Sequence, residues 1–232
     1  MKKLLFSMSV LLIILSCNEI HKNDKKVKEG NHENLVETIH FHRTSQENKG
    51  VLVLNSGPKG GNYTNSFGDE IRYTIFRVQV INDTIIPIEL DFALPKNPIA
   101  LLPDSKVILD IFLLPDSLTP KGLQDNLNFG ITGIDTFFES KVKNTSVVKT
   151  FIQPNEHYIF YIGILFKSEI TNGTTRSKLF INGQNIDAPF LPFTKIESDL
   201  KENNILELVY GIGVDPPNHY KLLPCGFIKY HD

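Results

Sequence analysis

Alternation of apolar and polar residues dominates the chain from about residue 35 onward. The clearest example is the segment EIRYTIFRVQVINDTIIPIELDF. Because successive side chains of a strand point to opposite faces, its first limb divides into two sets: Thr74, Phe76, Val78 and Val80 against Tyr73, Ile75, Arg77 and Gln79. The residues Asn82-Asp83-Thr84 are typical of a turn and precede a second apolar limb. The segment therefore predicts a β-hairpin.

Similar short segments recur between clusters of Gly, Pro, Asn and Asp, and few stretches are typical of a helix. They predict further strands near 50–54, 106–114, 146–152, 156–167, 176–182, 205–214 and 219–229. Short strands without alternating helices indicate an all-β fold, an antiparallel immunoglobulin-like β-sandwich formed by residues 35–232. The predicted core contains Phe76, Val78, Phe160, Ile162, Leu208 and Ile212.

Two of these strands are apolar on both faces. In EHYIFYIGILFK, one face carries Tyr158, Phe160, Ile162, Ile164 and Phe166 and the other Ile159, Tyr161 and Leu165, and KVILDIFLL is similar. Strands that are apolar on both faces are usually packed against other parts of the protein on both sides of the sheet. Either a loop such as 115–145, with a short helical turn near Asp135 to Glu139, covers the outer face, or a partner does.

The amino terminus has the pattern of an export signal. Lys2 and Lys3 precede the apolar stretch Leu4 to Leu15, which is shorter than the roughly 20 residues that a membrane-spanning helix needs. The tetrad Ile14-Leu15-Ser16-Cys17 resembles the lipobox of bacterial lipoproteins. That resemblance implies cleavage before Cys17 and a diacylglycerol on its sulfur, so that the acyl chains hold the protein on a membrane.

Three regions follow from this pattern: a lipoprotein signal peptide at 1–16, the lipidated Cys17 with a disordered tether at 17–34, and the sandwich domain at 35–232. The tether is predicted because NEIHKNDKKVKEGNHE is polar, mixed in charge and nearly without apolar residues. Removal of the leader makes the formal charge more negative than −2, because it takes away Lys2 and Lys3 and no acidic residue. A chain that is acidic overall does not predict a nucleic-acid partner.

The second of the two cysteines, Cys225, has no partner if Cys17 carries lipid. Its neighbours in LLPCGFIKY are those of a packed strand, so we expect it to be a small buried apolar residue. A nucleophilic role beside His219 is the alternative.

Other candidate chemistry is sparse, and we predict no cofactor and no catalytic residue. His40 and His42 have a spacing that places both imidazoles on one side of a strand, where they can chelate a metal if His157, His219 or a carboxylate completes the site. A solvated strand edge is the alternative. The segment VLVLNSGPKGGNYT lacks the Gly-Lys-Ser/Thr of a P-loop, and we interpret it as a flexible loop with hinges at Gly57, Gly60 and Gly61. The chain has no tryptophan, the usual platform for a glycan, and Tyr63, Phe67 and Tyr73 are the candidate substitutes.

As a whole, the lipobox, the polar tether and the strand-rich domain resemble uncharacterised cell-envelope lipoproteins of Bacteroidota. The resemblance implies an outer-membrane location, periplasmic or surface-facing, and Asn18 departs from the aspartate that retains lipoproteins in the inner membrane of enterobacteria. It favours a non-catalytic binding or interaction module with a protein or glycan partner. The alternatives are a hydrolase with dispersed catalytic residues and an inhibitor or immunity lipoprotein.

Overall fold

The structure is a computed structural model that describes residues 35–38, 50–95, 98–101, 107–140, 147–167, 173–183, 204–216 and 219–231, with the backbone alone for 35–38. Residues Glu33–Asp232 form one compact unit, and no residue of the other unit, Met1–His32, is described. The predictions for the leader, for Cys17 and its tether, and for His40 and His42 lie outside the described residues.

Strands account for most of the described chain, together with one short α-helix. They are β1 (Leu35–Thr38), β2 (Val51–Ser56), β3 (Lys59–Thr64), β4 (Glu70–Asn82), β5 (Ile88–Ala93), β6 (Ile99–Ala100), β7 (Ile108–Leu113), β8 (Val147–Ile152), β9 (His157–Phe166), β10 (Thr174–Ile181), β11 (Ile205–Asp215) and β12 (His219–Tyr230). The helix α1 spans Ile134–Glu139.

The strands form two antiparallel sheets that share one apolar core. The first sheet has the order β1-β2-β4-β9-β7-β6, with β3 also paired to β4, and the second has the order β10-β11-β12-β5-β8. Phe160 of the first sheet and Phe92 of the second lie with their ring centroids 4.9 Å apart. All six predicted core residues belong to this main core, which confirms the predicted all-β sandwich.

The predicted hairpin at 70–92 is wrong, although its strands and its turn are present. β4 pairs with β2, β3 and β9 in the first sheet, whereas β5 pairs with β12 and β8 in the second. The turn between them crosses from one sheet to the other. The buried side chain of Asn82 holds this turn, since its amide donates to the carbonyls of Ile86 and Ile152 at 2.8 and 2.9 Å and its oxygen accepts from Thr84.

The outer face of the first sheet is covered by this chain itself. A second apolar cluster joins residues of β3, β4, β7 and β9 to the segment that follows β7: Tyr63, Tyr73, Ile75, Phe112 and Tyr161 pack with Leu114, Phe129, Ile131, Ile134 and Phe138. We call residues 114–140 the covering segment. It confirms the loop alternative, with its helix at Ile134–Glu139 where a helical turn was predicted.

A one-residue bulge separates β2 from β3. Asn55 lies opposite Val78 and Lys59 opposite Ile75, so three residues of one strand face two of the other. The Ser56 hydroxyl fills the gap, because it accepts the backbone N–H of Arg77 at 2.8 Å. Because of the extra residue, odd-numbered side chains point to the main core in β2 and to the second cluster in β3.

The prediction of a flexible loop at this stretch is wrong, because Gly60 and Gly61 lie within β3. Gly60 is needed for close approach and not as a hinge, since a Cβ atom there would lie 2.3 Å from the carbonyl oxygen of Tyr73.

Candidate interaction surface

Strand β8, with the sequence VVKTFI, ends the second sheet and pairs on one side only, with β5. Its even-numbered side chains point inward, where Val148 packs against the main core and Ile152 is 2% exposed. Its odd-numbered side chains point outward, and Val147 and Phe151 are 48% and 56% exposed. Within the described ranges, no strand pairs with the second edge of β8. As far as the structure describes the chain, the strand therefore offers both an unpaired edge and two exposed apolar side chains.

Charged side chains of β5 lie beside this outward face. The ammonium group of Lys149 lies 3.1 Å from Glu89 and 3.3 Å from Asp91. Hydrogen bonds from Lys149 and from His231, whose Nε2 atom is 3.0 Å from Glu89, lower the pKa of the Glu89 carboxyl. Hydrogen bonds to Glu89 and Asp91 raise the pKa of Lys149. Lys149 therefore stays protonated at neutral pH, with its charge paired to these two carboxylates.

The aromatic ring of Phe151 extends the surface toward the carboxyl terminus of the domain. It contacts the ring of His231 edge-on, with centroids 5.1 Å apart. The turn after β4 lies close by, since Asn82 bonds both Ile86 and Ile152, and this turn exposes 76% of Ile85. We call Val147, Lys149, Phe151, Glu89, Asp91 and His231 the β8 surface.

Backbone groups at the free edge of β8 can be assigned from the register of its neighbours. The N–H of His231 donates to the carbonyl of Pro87, so odd-numbered residues of β5 bond β12 and even-numbered ones bond β8. Since Leu90 lies opposite Thr150, the even residues of β8 bond β5. The N–H and C=O groups of Val147, Lys149 and Phe151 therefore point to the free edge, where the Phe151 carbonyl accepts one long bond of 3.4 Å from the Thr150 hydroxyl.

The sheet edges at β10, β6 and β3 are less available. On β10, the backbone N–H of Leu179 donates to Asn55 Oδ1 at 2.7 Å, and Asn55 Nδ2 donates to the Leu179 carbonyl at 3.0 Å. These two bonds connect the two sheets. β6 has two residues. β3 presents mainly exposed glycine, asparagine and threonine at its outer edge.

The covering segment contains two of the three non-glycine residues with positive φ in the described chain, and cations of β3 and β4 contact it. Asn128 and Phe129 have φ angles of 52° and 56°, in the left-handed region that costs roughly 1–2 kcal/mol per residue. The Phe129 ring is buried between the Lys59 ammonium, at 4.6 Å, and the Arg77 guanidinium, at 5.1 Å. These contacts offset the strain and fasten the segment to the sheet.

Arg77 is nearly fully buried and is paired on the covering segment. Its guanidinium donates to the carbonyl of Gln124 at 2.9 Å and to Asp125 Oδ1 at 3.0 Å. Lys59 donates to the carbonyls of Asp125 and Asn126. All of these acceptors belong to this chain, so the two cations anchor the covering segment.

The predicted aromatic platform for a glycan is wrong for two of its three residues. Tyr63 and Tyr73 are buried and pack against Phe138, with centroid distances of 5.0 and 5.2 Å. Phe67 alone is open, at 82% exposure, on the turn between β3 and β4. One exposed ring is not the platform of three aromatic side chains that was predicted.

The two histidines considered as further metal ligands, His157 and His219, are not brought together. His157 begins β9 opposite Ile81, near the turn that contacts β5, while His219 begins β12 at its far end from Tyr230. At 3.3 Å per residue, the two ends of β12 lie roughly 36 Å apart, so His157 and His219 lie at opposite ends of the sandwich. Over the described part of the chain, no group of three or more His, Cys, Asp or Glu side chains is arranged to hold a metal.

Cys225 is buried, as predicted, and has no disulfide partner. It is the extra residue of a bulge in β12, because Leu208 lies opposite Gly226 and Val209 opposite Pro224. Burial raises the pKa of its thiol well above the usual value, against a smaller opposite effect of a backbone hydrogen bond at Tyr210. A thiol in this state is a poor nucleophile.

No described helix has the length and apolar character needed to cross a membrane. Comparison of the chain with protein-family models, with curated proteins and with solved structures finds no match. Sequence reasoning located β8 but missed this surface, because alternation in VVKTFI shows which side chains point outward and not that the strand ends a sheet.

Proposed function

We propose that this protein is a membrane-anchored envelope lipoprotein that acts as a non-catalytic interaction module. The observation that carries the proposal is the β8 surface, where a free strand edge coincides with exposed Val147 and Phe151. Edge strands of this kind are pairing sites unless they are shielded. Addition of a strand from a partner supplies main-chain hydrogen bonds, and the outward side chains supply specificity.

The anchor and the location belong to the same proposal. Lipid on Cys17 would hold the domain at the outer membrane, with residues 18–34 as its tether. The lipobox Ile14-Leu15-Ser16-Cys17 supports this part. The immunoglobulin-like class of the sandwich also stays a prediction, supported by the two packed antiparallel sheets.

Site-specific photo-crosslinking tests the interaction surface in the native envelope. A photoreactive phenylalanine analogue replaces Phe151 in the full chain, and the matched control places it at exposed Lys121 on the covering segment. We expect an adduct of discrete mass at position 151 that is missing at position 121. Absence of any adduct at 151, or the same adducts at both positions, would show that β8 is not the binding surface.

A further inference from the structure

We propose that the partner of the β8 surface is a second copy of this chain, whose β8 strand pairs antiparallel with the first about a two-fold axis. The inference rests on the proposed function, because it names the occupant of the same edge. It would join the two five-stranded sheets of a pair of molecules into one continuous sheet.

The alternation of odd-numbered and even-numbered residues limits the registers that such a pair can adopt. Residues that oppose each other across antiparallel strands point to the same face, so odd residues of β8 must oppose odd residues of the second copy. Two symmetric registers keep nearly all of the strand paired. In one, Lys149 opposes the second Lys149, and in the other, Thr150 opposes the second Thr150.

Side-chain chemistry selects the register centred on Thr150. In this register Lys149 opposes Phe151 of the second copy, and Val148 opposes Ile152. An ammonium group beside an aromatic ring and two apolar side chains together are favourable pairs, and the register centred on Lys149 provides neither Lys149 opposite Phe151 nor Val148 opposite Ile152. The sequence VVKTFI is thus complementary to itself in a single register.

A lysine on an edge strand usually discourages pairing. Here the charge of Lys149 is already compensated by Glu89 at 3.1 Å and Asp91 at 3.3 Å. The two copies therefore meet without bringing two bare cations together, and the exposed Phe151 of each copy gains an apolar contact.

The interface is small, because β8 has six residues and only its odd residues bond across the edge. A pair of this size is weak for molecules free in solution. Anchoring of both copies on one membrane raises their effective concentration without any new contact. We therefore expect pairing on the membrane and dissociation in dilute detergent.

Cysteine cross-linking of the full chain in its membranes tests this register. Opposed residues in a non-hydrogen-bonded pair have Cα atoms about 4.5 Å apart, and diagonal neighbours about 7–8 Å. A disulfide requires about 4.4–6.8 Å. Thr150→Cys should therefore form a dimer under mild oxidation, at least about fivefold above Lys149→Cys, whose cysteines lie on the diagonal.

Two controls accompany these variants. The native chain measures any background from Cys17 and Cys225, since both are present in every variant. A second change, Phe151→Pro, is added to Thr150→Cys, because it removes an N–H that points to the free edge and leaves the bonds to β5 in place. We expect the double variant to keep its β-rich circular dichroism spectrum and to lose the dimer.

The outcomes separate this inference from the proposed function. Equal cross-linking at both positions, or none above the native background, would overturn the pairing, and cross-linking at Lys149 but not at Thr150 would overturn the register centred on Thr150. A photo-adduct at position 151 with a different protein would then leave the interaction module in place with another occupant. The absence of both the disulfide dimer and the photo-adduct would overturn both.

Discussion

Cys225 lies at the point where β12 carries one residue more than β11, and the bulge turns its side chain into the main core. Gly226 follows with a φ of 121°, where a Cβ atom would lie 2.0 Å from the carbonyl oxygen of Asp91. Pro224 precedes Cys225 and is exposed, and bulges are among the places where a strand accepts proline. Three consecutive residues thus fit one local geometry, which explains the Pro-Cys-Gly sequence without any chemical role for the thiol.

We expect slow modification of Cys225 by a thiol reagent in the folded protein and fast modification in denaturant. Burial keeps the reagent away and keeps the thiol protonated. Cys225→Ala should lower the free energy of unfolding by no more than about 1–2 kcal/mol, because it leaves a small cavity. Mass spectrometry of the peptide that contains Cys225 follows the labelling. Rapid labelling of the native protein would show that the site opens to solvent.

Three buried acids predict a loss of stability at alkaline pH. Burial raises the pKa values of Cys225, Tyr210 and Tyr230, so each stays protonated in the folded protein after its unfolded form has ionised. The unfolded state then binds fewer protons, and the free energy of unfolding falls as pH rises above the unfolded pKa values of about 8.5 for cysteine and 10 for tyrosine.

Urea titrations between neutral pH and about pH 10.5 measure this effect, since each such group contributes a slope of up to about 1.4 kcal/mol per pH unit. The matched variant Tyr210→Phe removes one ionisable group and should flatten the decline. A midpoint that stays constant over this range would contradict the assignment of these groups as buried.

At the scale of the element, β3 shows where composition misled prediction. The stretch KGGNYT contains two glycines, which are depleted in strands, and so it indicated a loop. In the structure it pairs with β4 over Lys59–Thr64. Close backbone approach explains Gly60, and no local pattern in the sequence distinguishes that requirement from flexibility.

The two glycines of β3 should respond differently to the same substitution. Gly60→Ala places a Cβ atom 2.3 Å from the Tyr73 carbonyl oxygen, whereas the nearest atom at Gly61 is 3.8 Å away. We expect Gly60→Ala to lower the free energy of unfolding by about 1–3 kcal/mol, as overpacking does. Gly61→Ala should be neutral or stabilising by up to about 1 kcal/mol. Equal effects in chemical denaturation would mean that β3 does not approach β4 so closely.

The hairpin prediction failed for a different reason. Alternation in EIRYTIFRVQVIN assigns each residue to a face correctly, since Phe76, Val78 and Val80 line the main core and Tyr73 and Ile75 line the second cluster. It carries no information on which strand pairs with which. The turn at Asn82 directs β5 to the opposite sheet through side-chain hydrogen bonds that depend on the carbonyl of Ile152, 70 residues away.

At the scale of the whole molecule, the sandwich was predictable because burial on both faces leaves a signal in each strand. β9 is apolar on both sides, and the structure places its even residues in the main core and Tyr161 in the second cluster. That signal also indicated a cover for the outer face. The fastening of the covering segment by Lys59 and Arg77 was not predictable, because both are separated from it by about 50 or more residues of chain.

Membrane attachment is tested with Cys17→Ser in the full chain. We expect the native chain to enter the detergent phase and the variant to stay unprocessed or soluble, because each buried CH₂ group of an acyl chain contributes about 0.8 kcal/mol to binding. Cys225→Ser is the matched control and should partition like the native chain. Unchanged partitioning of Cys17→Ser would contradict lipidation at this residue.

The bulge between β2 and β3 gives this stretch one residue more than its pairing with β4 requires. Removal of one residue from 56–58 would leave two residues facing two, so Asn55 would still lie opposite Val78 and Lys59 opposite Ile75. Tyr63 would then stay in the second cluster and Lys59 near the carbonyls of Asp125 and Asn126, with the alternation unbroken. We therefore expect a chain shortened by one residue here to fold, because its side chains keep their faces.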